Sequence, residues 1–213
     1  MMPGVQTPEQ MVAALAERIG VPMAAGTGAR LVQLATLMLR WNEHINLTGA
    51  REPRALIEEQ FGDAFALARL TGGAQTVVDV GSGGGLPGLV FGLLRPEVAL
   101  TLTEPRAKRR AFLHTATREV GIEASVLADR VEAMAPGVFD LACARAVFPP
   151  AEWLTAGSRI VHAEGRVVLF LSEPADWTPP ADVVLEVVSY AAGRSARRAV
   201  AVRPIVPAGA TPT

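Results

Sequence analysis

The sequence predicts an α/β fold with a Rossmann-like sheet of seven strands, preceded by an N-terminal helical subdomain. Three observations lead to this prediction. Apolar residues recur at helical spacing over residues 1–70. From Gln75 onwards, short β-branched or apolar runs alternate with helical stretches, a pattern typical of parallel strands joined by helices. Only the residues AAGRSA separate the last two runs, so these should form an antiparallel hairpin.

Helices are predicted at three places before the sheet. The motif Thr7-Pro8-Glu9-Gln10 resembles a capping box with proline at the first helical position, so a helix should begin there and end near Ile19. Apolar periodicity predicts a second helix over about 29–44 and a third over about 53–70. The polar-aromatic segment 41–48 connects these two.

Seven strands are predicted after residue 75. They lie near Thr76–Val80, Val98–Thr103, Ala124–Leu127, Phe139–Ala144, Arg166–Leu171, Asp182–Tyr190 and Arg197–Val202. Helices between the first five would make those five parallel, and the hairpin completes the strand count of a seven-stranded methyltransferase sheet. We therefore expect a helical subdomain over residues 1–70, a core over 71–205 and a frayed tail over 206–213.

Composition and charge exclude several classes of protein. Half of the residues are hydrophobic, which is typical of a globular chain. The net charge of −1 gives no overall basic field, so any contact with nucleic acid needs a local patch. The single Cys143 excludes an internal disulfide framework, and the sequence shows neither a signal peptide nor a membrane span. We expect a cytoplasmic protein.

The segment GSGGGLPG follows the first predicted strand and points to a cofactor site. Gly83, Gly85 and Gly88 fit the GxGxxG pattern, and Glu104 lies about 20 residues further on, as in dinucleotide-binding proteins. A P-loop is excluded because no Lys-Ser/Thr pair follows the glycines. The pattern alone leaves several nucleotide-like cofactors open.

Asp79, at the end of the first strand, favours one of these cofactors. A carboxylate here would repel a pyrophosphate and attract the sulfonium and ammonium groups of S-adenosylmethionine. Glu104 suits either cofactor, since both carry a ribose diol. The alternative is that Asp79 and Ser82 only cap the turn and the following helix.

Five motifs, in order along the chain, extend this interpretation. They are Trp41-Asn42 with Asn46-Leu47-Thr48, the stretch Asp79–Gly88, Lys108-Arg109 with Phe112-Leu113, Arg130-Val131-Glu132, and Arg145-Ala146. On these motifs the chain resembles the RsmG (GidB) family, bacterial methyltransferases that make 7-methylguanosine in 16S ribosomal RNA. The resemblance covers roughly residues 30–172, and its Leu86-Pro87-Gly88 is absent from most other methyltransferases.

The resemblance implies an S-adenosylmethionine-dependent enzyme that acts on 16S rRNA or the small ribosomal subunit. We expect a monomer that needs no metal ion. The cofactor residues that the resemblance implies are Asp79, Gly81, Gly83, Leu86, Glu104, Val131, Glu132 and Arg145. Arg145 is also the candidate for positioning the reactants. Basic clusters at a helix start and at the hairpin make Lys108, Arg109, Arg194 and Arg197 candidates for RNA contacts, with a solvated charged face as the alternative.

The residues also bear on the methylated atom. Guanine N7 has a free lone pair and needs no general base, and the chain has only three scattered histidines, His44, His114 and His162. Methylation of an exocyclic amine is disfavoured because Phe148-Pro149-Pro150-Ala151 lacks the usual polar acceptor. Methylation at cytosine C5 is disfavoured because Cys143 lies within an apolar strand.

Two departures from the family pattern keep alternatives open. The usual H-x-x-DS segment reads Gln60-Phe61-Gly62-Asp63-Ala64, and the usual Lys-Gly after the fifth strand reads Leu171-Ser172. The chain could therefore be a paralogue that methylates another RNA site or a small molecule, or a cofactor-binding assembly factor without catalysis. A nicotinamide oxidoreductase is a further alternative, which Asp79 disfavours.

Overall fold

The sheet has the predicted seven strands. A computed structural model describes residues 6–204, so the proposed tail over 206–213 lies outside the described residues. The strands are β1 (Thr76–Val80), β2 (Ala99–Thr103), β3 (Ala124–Leu127), β4 (Phe139–Cys143), β5 (Val161–Ser172), β6 (Val183–Ala192) and β7 (Ser195–Pro204). They lie in the order β3-β2-β1-β4-β5-β7-β6. The first five are parallel, and β7 pairs antiparallel with both β5 and β6, which confirms the predicted fold class.

The helices agree with the prediction at most places. They are α1 (Pro8–Ile19), α2 (Thr27–Asn42), α3 (Pro53–Gln60), α4 (Gly62–Leu70), α5 (Gly88–Leu94), α6 (Ala107–Val120) and α7 (Pro150–Ile160). The capping box is confirmed, because the Thr7 hydroxyl accepts from the Gln10 amide at 3.2 Å and the Gln10 side chain accepts from the Thr7 amide at 2.8 Å. These two bonds fix the start of α1.

Two predicted helices are wrong in detail. The third N-terminal helix is two helices, α3 and α4, which meet at Phe61. Gly62 is the first residue of α4, and a Cβ there would lie 2.8 Å from the Tyr190 ring of β6, so the hairpin packs directly on the backbone. Between β3 and β4 the chain forms a 3-10 turn, Val131–Ala133, where a helix was expected. The connection is short and ends in Pro136-Gly137, which leaves no room for a helix.

Helices cover both faces of the sheet. The larger apolar cluster joins α1 to α6 with one face, and α7 and the 3-10 turn cover the other. Buried residues of β1 alternate between the clusters, with Val77 in the first and Val78 in the second. The N-terminal helices therefore share a core with the sheet. We propose that the boundary near residue 70 marks the change from helices to the α/β sheet within this common core. Within residues 6–204, no helix combines the length and apolar character needed to cross a membrane.

Candidate active site

A cavity of about 410 Å³ opens at the carboxyl ends of the parallel strands. The strand order reverses between β1 and β4, and open α/β sheets bind their ligands at such a switch point. The residues that line the cavity follow β1, β2, β3 and β4. They are Val80, Gly81, Thr103 to Arg106, Arg109, Asp129 to Glu132, and Ala146 to Phe148.

Glu104 supplies a buried carboxylate to this cavity. Its side chain is only 5% exposed, and one oxygen accepts a hydrogen bond from the Arg106 backbone amide at 2.8 Å. The other oxygen lies 3.9 Å from the Arg109 guanidinium. Asp129 and Glu132 also line the cavity. The cavity therefore presents three carboxylates, which suits a ligand that carries hydroxyl or cationic groups.

The glycine loop comes close to this cavity and to a neighbouring segment. Gly81 has φ +69°, and a Cβ there would lie 2.8 Å from Val147 Cγ2, a side chain of the cavity wall. At Gly84, a Cβ would lie 2.8 Å from the Leu47 carbonyl oxygen. Glycine is therefore required at these two positions, because Val147 lies against the backbone of Gly81 and the Leu47 carbonyl lies against the backbone of Gly84.

Asn42 explains the spacing of the Trp-Asn and Asn-Leu-Thr motifs. Its side-chain oxygen accepts from the Leu47 amide at 2.8 Å and the Thr48 amide at 3.0 Å. Its side-chain nitrogen donates to the Thr48 carbonyl at 2.9 Å. The neighbouring Trp41 packs against Phe112 with ring centroids 5.6 Å apart. The two motifs thus hold segment 46–48 against the glycine loop.

Similarity to known proteins identifies the family of this chain. A sequence profile described as rRNA small subunit methyltransferase G matches residues 28–175. The chain belongs to this family. A Myxococcus xanthus relative named ribosomal RNA small subunit methyltransferase G is 33% identical over 171 residues, which are 78% of this chain and 79% of the relative. A Laribacter hongkongensis relative of the same name is 36% identical over 159 residues, 74% and 75% of the two chains. The RsmG (GidB) resemblance is confirmed.

Two solved methyltransferase structures share the fold of this chain. A Streptomyces achromogenes O-methyltransferase, TomG, solved in complex with S-adenosylmethionine, is 15% identical with a TM-score of 0.55 and covers 94% of this chain and 100% of its own. A Geobacter sulfurreducens methyltransferase is 14% identical with a TM-score of 0.56, covering 96% and 100%. At this identity the likeness concerns the fold alone.

Four of the eight cofactor residues implied by the RsmG resemblance line the cavity. These are Gly81, Glu104, Val131 and Glu132. The other four, Asp79, Gly83, Leu86 and Arg145, lie outside its lining. A Cβ at Gly83 would lie 3.4 Å from the Arg109 guanidinium, and Leu86 is packed in the core. Their roles toward a cofactor stay predictions.

Asp79 lies beneath the glycine loop. It is 1% exposed, and its Oδ2 accepts a hydrogen bond from the Gly88 amide at 3.0 Å. Burial raises the pKa of this carboxyl to about 6, against the smaller opposing effect of that hydrogen bond. The thiol of Cys143 lies 3.8 Å from Oδ1, and burial raises the pKa of the thiol well above its ordinary value. This placement matches the alternative that the sequence left open, in which Asp79 caps the following helix.

Asp63 joins Arg145 to the C-terminal hairpin, which sequence reasoning missed. Its Oδ2 lies 3.1 Å from the Arg145 guanidinium, and its Oδ1 accepts from the Tyr190 hydroxyl at 2.5 Å and lies 3.3 Å from Arg197 Nε. Arg145 also donates to the Gln60 side-chain oxygen at 3.2 Å. Burial raises the pKa of Tyr190. The one available signal was Asp63 itself, which survives in the altered H-x-x-DS segment of the family.

The four predicted RNA residues differ in what they contact. Arg197 is held by Asp63, and Arg109 donates to the Asn46 carbonyl at 3.0 Å besides approaching Glu104. Lys108 and Arg194 are exposed. Among the residues that the structure describes, no cluster of histidine, cysteine or acidic side chains could hold a metal ion.

Proposed function

We propose that this chain transfers the methyl group of S-adenosylmethionine to N7 of one guanine in 16S rRNA. The observation that carries the proposal is the cavity at the β1–β4 switch point of a chain in the rRNA small subunit methyltransferase G family. We further propose that the chain acts in the cytoplasm, where ribosomal RNA resides, and that it acts as a monomer.

The cavity residues fit S-adenosylmethionine by their chemistry. Glu104 would bind the ribose diol, and Val131 with Glu132 would frame the adenine. Gly81 lets the loop backbone lie against Val147 of the cavity wall, where a Cβ would not fit, and a backbone without a side chain suits the close approach of the methionine portion. We propose that Asp79, Gly83 and Leu86 act from beneath by fixing the loop, and that Arg145 helps to position the reactants.

In the proposed reaction, the main task of the protein is to align the methyl donor with guanine N7. When bound, S-adenosylmethionine supplies an electrophilic methyl group on a sulfonium. Guanine N7 attacks through its lone pair and releases no proton, so the chain needs to align the two groups and needs no general base. The histidines fit this: His44 and His114 are exposed, and His162 pairs with Asp140 at 2.5 Å near the amino ends of the strands.

Mapping 7-methylguanosine in 16S rRNA tests the proposal. A strain that lacks this protein should lose one such mark, and the restored gene should return it. Titration calorimetry with S-adenosylmethionine on the purified chain should show binding at a single site. An intact mark together with cofactor binding would favour the paralogue or assembly-factor alternative, to which the Gln60 and Leu171-Ser172 departures point. Binding of NAD without S-adenosylmethionine would overturn the cofactor assignment.

A further inference from the structure

A second groove lies beside the cofactor cavity. It has a volume of about 430 Å³, within the range of about 300–1,000 Å³ that ligand sites occupy, and runs between segment 44–46 and the first turn of α6. Arg106 and Arg109 line both spaces, so the groove and the cavity share a wall. A molecule that fills the groove would end next to the place proposed for the methyl donor.

The two spaces differ in charge. Among the described residues, the groove lining contains three cationic side chains, Arg106, Lys108 and Arg109, and no carboxylate. The adjoining cavity contains the carboxylates of Glu104 and two further acids. Since the whole chain carries a net charge of −1, the groove is a local positive site and not part of a general basic field.

Two of these cations are available to a ligand. Arg109 is held by the Asn46 carbonyl and Glu104, which makes it a fixed part of the shared wall. Arg106 and Lys108 are exposed and form no ion pair with any residue in 6–204. Arg and Lys without protein partners are the usual donors to phosphate oxygens.

We propose that this groove binds the phosphodiester backbone of the substrate RNA next to the target guanine, through Arg106 and Lys108. This inference rests on the proposed function and adds where the RNA enters. RNA fits better than an acidic peptide because the groove shares Arg106 and Arg109 with the cofactor cavity. A nucleotide whose base reaches the methyl donor would carry its phosphates past this shared wall. Arg197 is a weaker candidate because Asp63 already holds it.

The sequence offers a selective probe of this groove, because Lys108 is the only lysine in the 213-residue chain. Acetylation by an amine-reactive reagent therefore reports on Lys108, with the terminal α-amino group as an internal reference. We expect 16S rRNA transcribed in vitro to protect Lys108 several-fold relative to the α-amino group. S-adenosylmethionine alone and polyglutamate should not protect it. Protection by polyglutamate equal to that by RNA would assign the groove to acidic peptides and overturn the proposal.

Substitutions provide the second measurement. The double variant Arg106→Ala/Lys108→Ala should bind S-adenosylmethionine as the wild type does, while its KM for the rRNA rises at least tenfold. The slope of log affinity against log salt should fall by about 0.7–0.9 for each lost phosphate contact. Arg118→Ala is the matched control, since Arg118 is an exposed arginine at the far end of the same helix.

The outcomes separate this inference from the proposed function. Normal KM and salt slope in the double variant, with Lys108 labelled equally in the presence of RNA, would overturn the groove assignment while methyl transfer by the wild type still stood. Protection of Lys108 by RNA without any methyl transfer would support the groove and overturn the proposed function.

Discussion

Asp79→Asn should change how stability depends on pH. The Asp79 carboxyl has an ordinary pKa of 3.8, and burial raises it to about 6 in the folded protein. The folded state therefore holds the proton more tightly than the unfolded state. The stability that results is fully present below pH 3.8 and is lost as the pH rises through 6. One pKa unit corresponds to about 1.4 kcal/mol, so the full effect is about 3 kcal/mol, of which about 2 kcal/mol falls between pH 4.5 and 8.

Urea unfolding of both proteins from pH 4.5 to 8 measures this effect. The asparagine keeps an oxygen acceptor for the Gly88 amide but does not ionise, so the wild type should lose about 2 kcal/mol relative to Asp79→Asn across this range. Asp176→Asn, at an exposed aspartate, controls for the change in net charge. A difference between wild type and Asp79→Asn that stays constant with pH would refute the view of Asp79 as a buried, desolvated carboxyl.

Three further substitutions test the loop, the Asp63 cluster and Arg145. Gly81→Ala should weaken S-adenosylmethionine binding at least tenfold by calorimetry, because the new Cβ would displace Val147 of the cavity wall. Gly137→Ala controls for backbone strain, since Gly137 has a similar positive φ and open space around it, and this variant should bind the cofactor normally. Asp63→Ala should lower the free energy of unfolding by about 3–5 kcal/mol because it removes the buried carboxylate that pairs with both Arg145 and Arg197. The half-exposed Glu173→Ala should cost less than about 1 kcal/mol, and equal costs would contradict this account. Arg145→Ala should strongly reduce methyl transfer to rRNA, and unchanged turnover would remove Arg145 from the site.

The sequence predicted the fold well because the relevant signals are local. A strand such as Thr76–Val80 and the capping box at Thr7 depend on neighbours along the chain, and both lie where they were expected. The packing of the Tyr190 ring on Gly62, next to the break at Phe61, was not visible because the two residues are distant in sequence. A ring packed on a backbone leaves no periodic pattern in either segment.

The candidate site was predictable in part for the same reason. Gly81 and Glu104 follow directly from a strand, a glycine loop and the next strand end, and both line the cavity. The position of Asp79 depends on which way its side chain turns from β1, and a motif does not contain that information. Its carboxylate turns toward the Gly88 amide and stabilises the loop from below. The ion pair of Arg197 with Asp63 was equally hidden, because three segments of the chain meet there.

The departure at Gln60 takes on a different meaning in the structure. The Gln60 side chain donates to the Thr48 hydroxyl at 2.6 Å and accepts from Arg145 at 3.2 Å, so it bridges the Asn-Leu-Thr segment and Arg145. A neutral histidine also offers one donor and one acceptor, so glutamine can replace it without leaving either partner unpaired. Ala64 is fully buried, where a hydroxyl would need a partner of its own. Glutamine at position 60 therefore still supplies Arg145 with a hydrogen-bond acceptor, as a histidine could, so this departure gives no sign of an altered reaction.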